Sequence, residues 1–302
     1  MKPYLSLFPS KVILSVVIML FLPVCAGAFS LSDTTPKGTI QLSTHYRTLC
    51  PGEVIQVSLS APRFLSATAR FMDRDHVFVA NRDGTAFVLL ALGLDTVPGI
   101  YGLDIELVFP GKVKKAYHCK IAVSKGAFPV QRIKVNKKFT VLSCATLKRI
   151  ENEKRLLKTA YDSGAPAWLG RSQFILPVGG TIRNNFGERR IFNKNFRSRH
   201  RGVDIRAGKG VPVIAANSGT IALARNLYFA GNTVIIDHGA GLFSLYCHLS
   251  KISVKKGTGV TRGDKIGRVG ATGRVTGPHL HWGMKLHGQY VNPLSVMALP
   301  LQ

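Results

Sequence analysis

The chain has 302 residues and a formal net charge of +26, with an isoelectric point near 10.3. This length is typical of about two domains, and it excludes a mini-protein that must be stapled by disulfides or metals to hold a core. The excess of lysine and arginine predicts a polyanionic partner, for which nucleic acid, anionic lipid and anionic cell-wall polymer all qualify.

Residues 1–28 have the features of a secretory signal peptide. A positively charged start precedes an apolar run at residues 12–24, and an Ala-Gly-Ala triplet ends at Ala28. We predict cleavage after Ala28; lipidation at Cys25 and retention of the run as a membrane anchor are the alternatives, although the run is short for a spanning helix. In each case the body of the protein is exported to the periplasm or cell envelope, which disfavours nucleic acid as the partner.

Four cysteines follow this segment: Cys50, Cys119, Cys144 and Cys247. In an oxidising compartment they allow three pairings, among which the sequence does not choose. We favour Cys50 with Cys119 because both lie in the same predicted domain, and unpaired buried thiols are the alternative.

Residues 29–135 consist of short β-rich runs separated by turn signals such as Pro-Gly and Asn-Arg-Asp-Gly. Six or seven strands at this spacing predict an accessory β-sandwich of immunoglobulin-like type. This region contains no cluster of catalytic side chains.

The periodicity changes in residues 136–170, where a linker with one amphipathic helix is predicted. Leu147, Ile150, Leu157 and Tyr161 fall on one helical stripe. Ser143 or Thr146 could cap the start of the helix, and a Ser-Gly-Ala-Pro sequence ends it.

Residues 171–302 are rich in glycine and valine, with short strands punctuated by glycine at nearly every turn. Strands this short do not alternate with helices, so the segment predicts a Gly-rich antiparallel β domain. The chain as a whole is therefore expected to be all-β apart from the linker helix.

Five polar residues of this domain form a candidate site. In the sequence His279-Leu280-His281, strand alternation places both histidines on one face. Catalytic zinc takes three nitrogen or oxygen ligands from the protein and leaves a fourth position for water. The residues that could supply such a site are His200, Asp204, His248, His279 and His281.

Backbone geometry constrains two of these positions. On an ideal strand His200 and Asp204 would lie about 13 Å apart, so we expect the chain to bend between them at Gly202. By the same alternation we expect His248 to share a face with Tyr246, and Cys247 to point into the core.

The order H-x₃-D, then H-L-S after a strand, then G-P-H-L-H resembles the lysostaphin/LytM-type zinc endopeptidases, which cut peptidoglycan peptides. The similarity covers roughly residues 174–293. It implies the duplicated hybrid motif fold for this domain and one Zn²⁺ ion per chain. It also implies roles for the five residues: His200, Asp204 and His281 as zinc ligands, with His248 and His279 as unligated catalytic histidines.

We therefore predict an exported zinc metalloendopeptidase that hydrolyses peptide cross-links of peptidoglycan, with the zinc-bound water activated by a histidine base. The expected partners are peptidoglycan stem peptides and the anionic cell-wall surface, with no nucleic acid, and the chain is expected to be a monomer. Asn232 and Arg189 are candidates for the substrate groove.

The alternative function is that of a non-catalytic cell-wall-binding protein or an activator of other wall hydrolases. The N-terminal sandwich could target the wall or cover the groove, and we expect residues from about 171 onward to fold alone.

Overall fold

The computed structural model describes residues 18–25, 28–36, 38–81, 83–134, 142–192 and 196–302, with residues 18–25, 192 and 196 described by their backbone alone. Most of the predicted signal peptide lies outside these ranges. No helix in the described ranges is long and apolar enough to cross a bilayer.

The N-terminal region forms two five-stranded sheets, ordered β1-β10-β9-β5-β6 and β2-β3-β4-β8-β7. β1 is an edge strand that runs parallel to β10, and it belongs to the predicted signal segment. The strands are β1 Ile18–Cys25, β2 Ser30–Thr35, β3 Gly38–His45, β4 Val54–Ser60, β5 Ser66–Phe71, β6 Arg74–Val77, β7 Val79–Ala80, β8 Ala86–Ala91, β9 Gly99–Phe109 and β10 Val113–Val123.

Apolar side chains of both sheets share one buried core, as alternation along the strands requires. Leu42 of β3 and Ile55 of β4 meet Ile105 of β9 and Tyr117 of β10, all at most 2% exposed. The two-sheet arrangement agrees with the predicted sandwich, and its immunoglobulin-like character stays a prediction.

The predicted Cys50–Cys119 disulfide is wrong in this structure, where the two residues are not bonded to each other. Cys119 is buried in β10 between the two sheets, whereas Cys50 lies in the turn before β4. Membership of one domain does not bring two sulfur atoms within bonding reach.

The linker contains a strand, β11 Val130–Ile133, and a helix, α1 Cys144–Asp162. Ser143 caps α1 by accepting a hydrogen bond from the Thr146 amide at 3.2 Å, so one of the two predicted caps is confirmed. The predicted apolar stripe is only partly buried: Leu157 and Tyr161 pack against the domain that follows, but Leu147 is 51% exposed. The first turns of α1 therefore extend beyond the surface that the helix covers.

The C-terminal domain is built on an antiparallel sheet in the order β12-β15-β23-β19-β18-β17-β21, with β24 paired to β23. Two three-stranded sheets accompany it, β11-β13-β14 and β16-β22-β20. Its elements are β12 Thr181–Arg183, β13 Arg189–Phe192, β14 Phe196–Arg199, β15 Gly202–Arg206, β16 Pro212–Ile214, β17 Gly219–Leu227, β18 Gly231–Asp237, β19 Leu242–Leu249, β20 Lys251–Ile252, β21 Gly259–Val260, β22 Lys265–Arg268, β23 Leu280–Leu286, β24 Gln289–Val291 and α2 Pro293–Met297.

The sandwich and the C-terminal domain share buried contacts. Val54 and Phe87 of the sandwich belong to the same buried cluster as Trp282. The Val54 amide donates to the Ser295 hydroxyl at 2.9 Å, and the linker strand β11 pairs with β13. A chain cut near residue 171 would expose these apolar surfaces to water, which opposes the expected independent folding of the C-terminal part.

Candidate metal centre

Two neighbouring strands place Asp204 and His281 directly opposite each other. In the antiparallel register of β15 and β23, Asp204 pairs with His281, and Gly202 pairs with Gly283. Directly opposed residues of an antiparallel pair extend from the same face of the sheet. His200 lies two residues before β15 and reaches the same face.

Donor atoms of these three residues converge on one point. His200 Nε2 lies 2.9 Å from His281 Nδ1 and 3.0 Å from Asp204 Oδ1, and His281 Nδ1 lies 3.1 Å from Asp204 Oδ1. Ligands at 2.0–2.1 Å around a tetrahedral ion would be separated by about 3.3 Å. The three residues therefore have the spacing of a metal-ligand set.

The hydrogen bonding of His200 shows which of its ring nitrogens is available. His200 Nδ1 lies 2.9 Å from the Asn185 carbonyl oxygen, which only accepts, so Nδ1 carries the proton and Nε2 carries a lone pair. That lone pair faces His281 Nδ1 and a carboxylate oxygen. A cation between these atoms would bind the His200 lone pair and the carboxylate charge together, so the donor set fits a metal ion.

The local environment favours the protonation states that a metal requires. Burial lowers the pKa of His200 to about 4. Burial raises the pKa of Asp204, but its contacts with the His200 and His281 imidazoles outweigh burial and hold the pKa of this carboxyl well below its usual range. A neutral imidazole and an ionised carboxylate at neutral pH are the forms that bind a divalent cation.

The second oxygen of Asp204 is fixed by residues that the sequence reasoning missed. Asn185 Nδ2 and Arg190 Nη2 each donate to Asp204 Oδ2 at 2.8 Å, and Glu188 in turn holds Arg190. These bonds leave Oδ1 facing the two imidazoles, as second-layer contacts commonly orient a ligand. The sequence shows that Glu188 and Arg190 are two positions apart. It does not show that β15, the strand that carries Asp204, lies next to them.

Gly202 is required for a reason other than the predicted bend. It lies within β15, and a Cβ atom there would stand 2.4 Å from the Trp282 carbonyl oxygen and 2.8 Å from the His281 ring. The chain instead leaves strand geometry at residues 200 and 201. Gly202 thus allows the backbone to pass close to the His281 imidazole.

His248 reaches the site through an irregular backbone, and the predicted alternation around it is wrong. Its φ of 64° lies in the left-handed region, and the pairing of β18 with β19 shifts register there. Cys247 pairs with His281 and so shares its face, while Tyr246 pairs with Trp282 in the core. The twist at His248 turns its ring back toward the site, 5.9 Å from the His281 ring centre.

His279 and His248 present the same nitrogen to the site. His248 Nδ1 donates to the Thr272 carbonyl oxygen and His279 Nδ1 to that of Gly277, both at 2.9 Å. Each therefore keeps its lone pair on Nε2, and the two ring centres lie 5.0 Å apart. His279 Nε2 is 3.7 Å from Asp204 Oδ1. The expectation that His279 and His281 share a face is confirmed.

The two groove candidates differ in what they contact. Asn232 Nδ2 donates to the Leu249 carbonyl oxygen at 3.0 Å, and its backbone amide donates to the Thr272 hydroxyl at 2.9 Å. Asn232 thereby supports the segment that holds His248. Arg189 is exposed on β13, next to the Arg190 that reaches Asp204. Contact of either residue with a substrate stays a prediction.

Helix α1 packs on the same sheet face as the metal-ligand set. Ala160 lies in a buried cluster with Ile235 and Phe243, and Phe243 is on the face that carries His281. At the other end of the contact, the Glu153 carboxylate accepts from the Tyr228 amide at 2.9 Å. The linker helix therefore borders the site on this face of the sheet.

Three similarities to known proteins place this geometry in context. The family model described as Peptidase family M23 matches residues 198–293. Peptidoglycan DD-endopeptidase ShyA of Vibrio cholerae serotype O1 is 45% identical over 115 residues, which is 38% of this chain and 27% of that protein. DD-carboxypeptidase/endopeptidase Mpg of Neisseria meningitidis serogroup B is 48% identical over 101 residues, which is 33% of this chain and 23% of that protein.

A solved structure from Pseudomonas aeruginosa, assigned to peptidase M23, matches with a TM-score of 0.64 and 28% identity, covering 83% of this chain and 96% of that one. The chain spans only about a quarter of the length of the two curated relatives, 27% and 23%. The C-terminal part of this protein is a peptidase family M23 domain of the lysostaphin/LytM type.

Proposed function

We propose that this protein is an exported zinc metalloendopeptidase that hydrolyses peptide cross-links of peptidoglycan. The observation that carries the proposal is the convergence of five side chains on one sheet face: three facing donor atoms and two imidazoles with open Nε2 atoms. Two curated relatives of the domain are named for endopeptidase activity, one of them on peptidoglycan.

Zinc suits the donor set. Two imidazole nitrogens and one carboxylate oxygen, provided by His200, His281 and Asp204, leave a tetrahedral ion one open position, as in catalytic zinc sites. When bound there, the ion would supply Lewis acidity toward a peptide carbonyl and lower the pKa of a water molecule.

His248 and His279 would carry the proton transfers. Each donates its Nδ1 proton to a backbone carbonyl oxygen, which fixes the ring and leaves Nε2 to take a proton. One of them can act as the base, and the other can stabilise the developing oxyanion or protonate the leaving amine. The geometry is compatible with either assignment of these roles.

The charge of the chain suits an anionic cell-wall substrate. Five arginines lie in or beside the β13–β14 hairpin near the candidate metal-ligand set: Arg189, Arg190, Arg197, Arg199 and Arg201. With a net charge of +26, long-range attraction to an anionic wall would raise the local substrate concentration, most strongly at low salt.

Digestion of purified sacculi tests the proposal. The zinc-loaded full chain should release cross-link-derived peptides that mass spectrometry identifies; a chelator should stop the release, and added zinc should restore it. Metal analysis should give one zinc per chain. Binding to sacculi without any released fragment from the zinc-loaded protein would contradict the proposal and favour the non-catalytic wall-binding alternative.

A further inference from the structure

A second polar cluster lies on the sheet face that carries the metal centre. On β23, alternation places His281, Gly283 and Lys285 on one face, and Tyr290 of β24 lies opposite Lys285. Arg201, which follows the predicted ligand His200, passes its backbone over Gly283, where a Cβ atom would stand 3.0 Å from the Arg201 carbonyl oxygen. We call Arg201, Lys285, Tyr161 and Tyr290 the cation–aromatic cluster.

Aromatic rings hold both cations in place. Lys285 Nζ lies 3.9 Å from the centre of the Tyr161 ring and 5.5 Å from that of Tyr290. The Arg201 guanidinium carbon lies 4.7 Å from the Tyr290 ring centre. Contacts of this kind are attractive and restrict the position of the cation.

No acidic side chain of the described ranges forms an ion pair with either cation. The carboxylate of Asp162, whose charge reaches Lys285, is paired with Lys158 on the same helix. Burial, followed by the charge of Arg201, lowers the pKa of Lys285. Two nearby positive charges, one of them half-buried, are stabilised by an anion placed between them.

We propose that the cation–aromatic cluster is a subsite of the groove that binds a carboxylate of the substrate peptide. This inference rests on the proposed function. Lys285 lies four positions along β23 from His281, or about 13 Å by strand rise. An extended peptide spans that distance in about four residues, so the bound carboxylate belongs to a residue three or four positions from the scissile bond.

Paired substrates test the subsite. Two cross-linked stem peptides are compared that differ only in whether the carboxylates distant from the cross-link are free or amidated. The zinc-loaded wild type should prefer the free-carboxylate peptide by about 10-fold or more in kcat/KM, mainly through KM, as expected for hydrogen bonds to charged groups. Lys285→Met should remove most of this preference by lowering kcat/KM on the free-carboxylate peptide toward the value for the amidated peptide. The control is Lys251→Met, which removes the same charge from an exposed position on β20.

Equilibrium binding of both peptides to the zinc-loaded His248→Ala variant separates this inference from the proposed function. If the wild type cleaves neither peptide, the proposed function fails, but tighter binding of the free-carboxylate peptide, lost on adding Lys285→Met, still supports the subsite. Equal binding of the two peptides overturns it. Equal weakening of both by Lys285→Met also overturns it and makes the cluster a clamp between α1 and the sheet. Arg201→Gln, at an exposed position, repeats the test if Lys285→Met unfolds.

Discussion

The two sides of the central sheet of the C-terminal domain both bury histidines, but they bond them differently. On the core side His238 is fully buried, with Nδ1 2.7 Å from the Ser218 carbonyl oxygen and Nε2 2.7 Å from the Ser244 hydroxyl. On the site side His248 has only its Nδ1 bonded, to Thr272, among the described residues. Burial lowers the pKa of both, to about 4 for His238 and about 3 for His248.

A depressed histidine pKa therefore does not mark a functional residue in this protein. Both values follow from burial as the largest cause. What distinguishes the site side is the open ring nitrogen, since a lone pair without a partner can bind a metal or accept a proton. The predictions below test this difference between closed and open imidazoles.

The largest effect is expected from removing a donor atom of the candidate metal centre. His281→Ala leaves one imidazole and one carboxylate, so zinc binding should weaken by more than the 10- to 100-fold typical of lost second-layer contacts. Peptide hydrolysis should fall to background. Elemental analysis after dialysis measures the zinc, and His45→Ala in the sandwich is the control. One zinc per chain in His281→Ala would refute the ligand assignment.

The two open imidazoles that are not expected ligands should behave differently. His248→Ala and His279→Ala should retain zinc and lose about 10²- to 10⁴-fold in kcat, the range for general acid–base groups. Zinc content and steady-state kinetics of each purified variant give the two readouts. If either variant lost its zinc, the substituted histidine would be a zinc ligand, and one of the predicted ligands would be unligated instead.

A smaller effect is expected from the residue that holds the far oxygen of Asp204. Arg190→Met removes the 2.8 Å bond to Asp204 Oδ2 and should weaken zinc affinity by about 10- to 100-fold. Arg189→Met removes the same charge from the neighbouring exposed position and should leave zinc affinity unchanged. Competition with a chromophoric chelator measures both. If the two variants lose zinc affinity equally, the overall charge and not the Asp204 contact is responsible. A rise in KM for Arg189→Met alone would support the predicted place of Arg189 in the substrate groove.

Much of the site could be predicted because its residues are fixed by short motifs and by strand alternation. His279 and His281 share a face because they are two residues apart on an extended segment. Ser143 caps α1 by a hydrogen bond to the amide only three residues later. The positions that alternation missed depend on partners far along the chain. The φ of 64° at His248 accompanies a register shift against β18, and Gly202 is required by the His281 ring.

The linker helix shows the same limit at a larger scale. Its existence follows from the 3.6-residue period, but which of its turns are covered depends on where the sheet ends. Tyr161 packs against Phe243 with ring centres 5.2 Å apart, while Leu147, on the predicted stripe, stays exposed. Periodicity identifies a face of a helix, and only the tertiary structure determines how much of that face is buried.

The closed imidazole on the core side should affect stability and not catalysis. His238 has a pKa of about 4 in the folded chain, against 6.5 for an exposed histidine, so the unfolded chain takes up the proton first as the pH falls. The free energy of unfolding should therefore decrease between pH 6.5 and pH 4, by up to about 3 kcal/mol from this residue. His238→Gln cannot take up that proton, and its unfolding free energy should depend less steeply on pH over this interval. Because His200 and His248 titrate in both proteins, the difference between wild type and variant isolates His238.

Urea unfolding at several pH values measures this difference, while kcat on a stem peptide at neutral pH should be unchanged. Parallel pH curves for the two proteins would show that His238 contributes no proton uptake on unfolding, and a large loss of kcat would place it in the catalytic machinery after all.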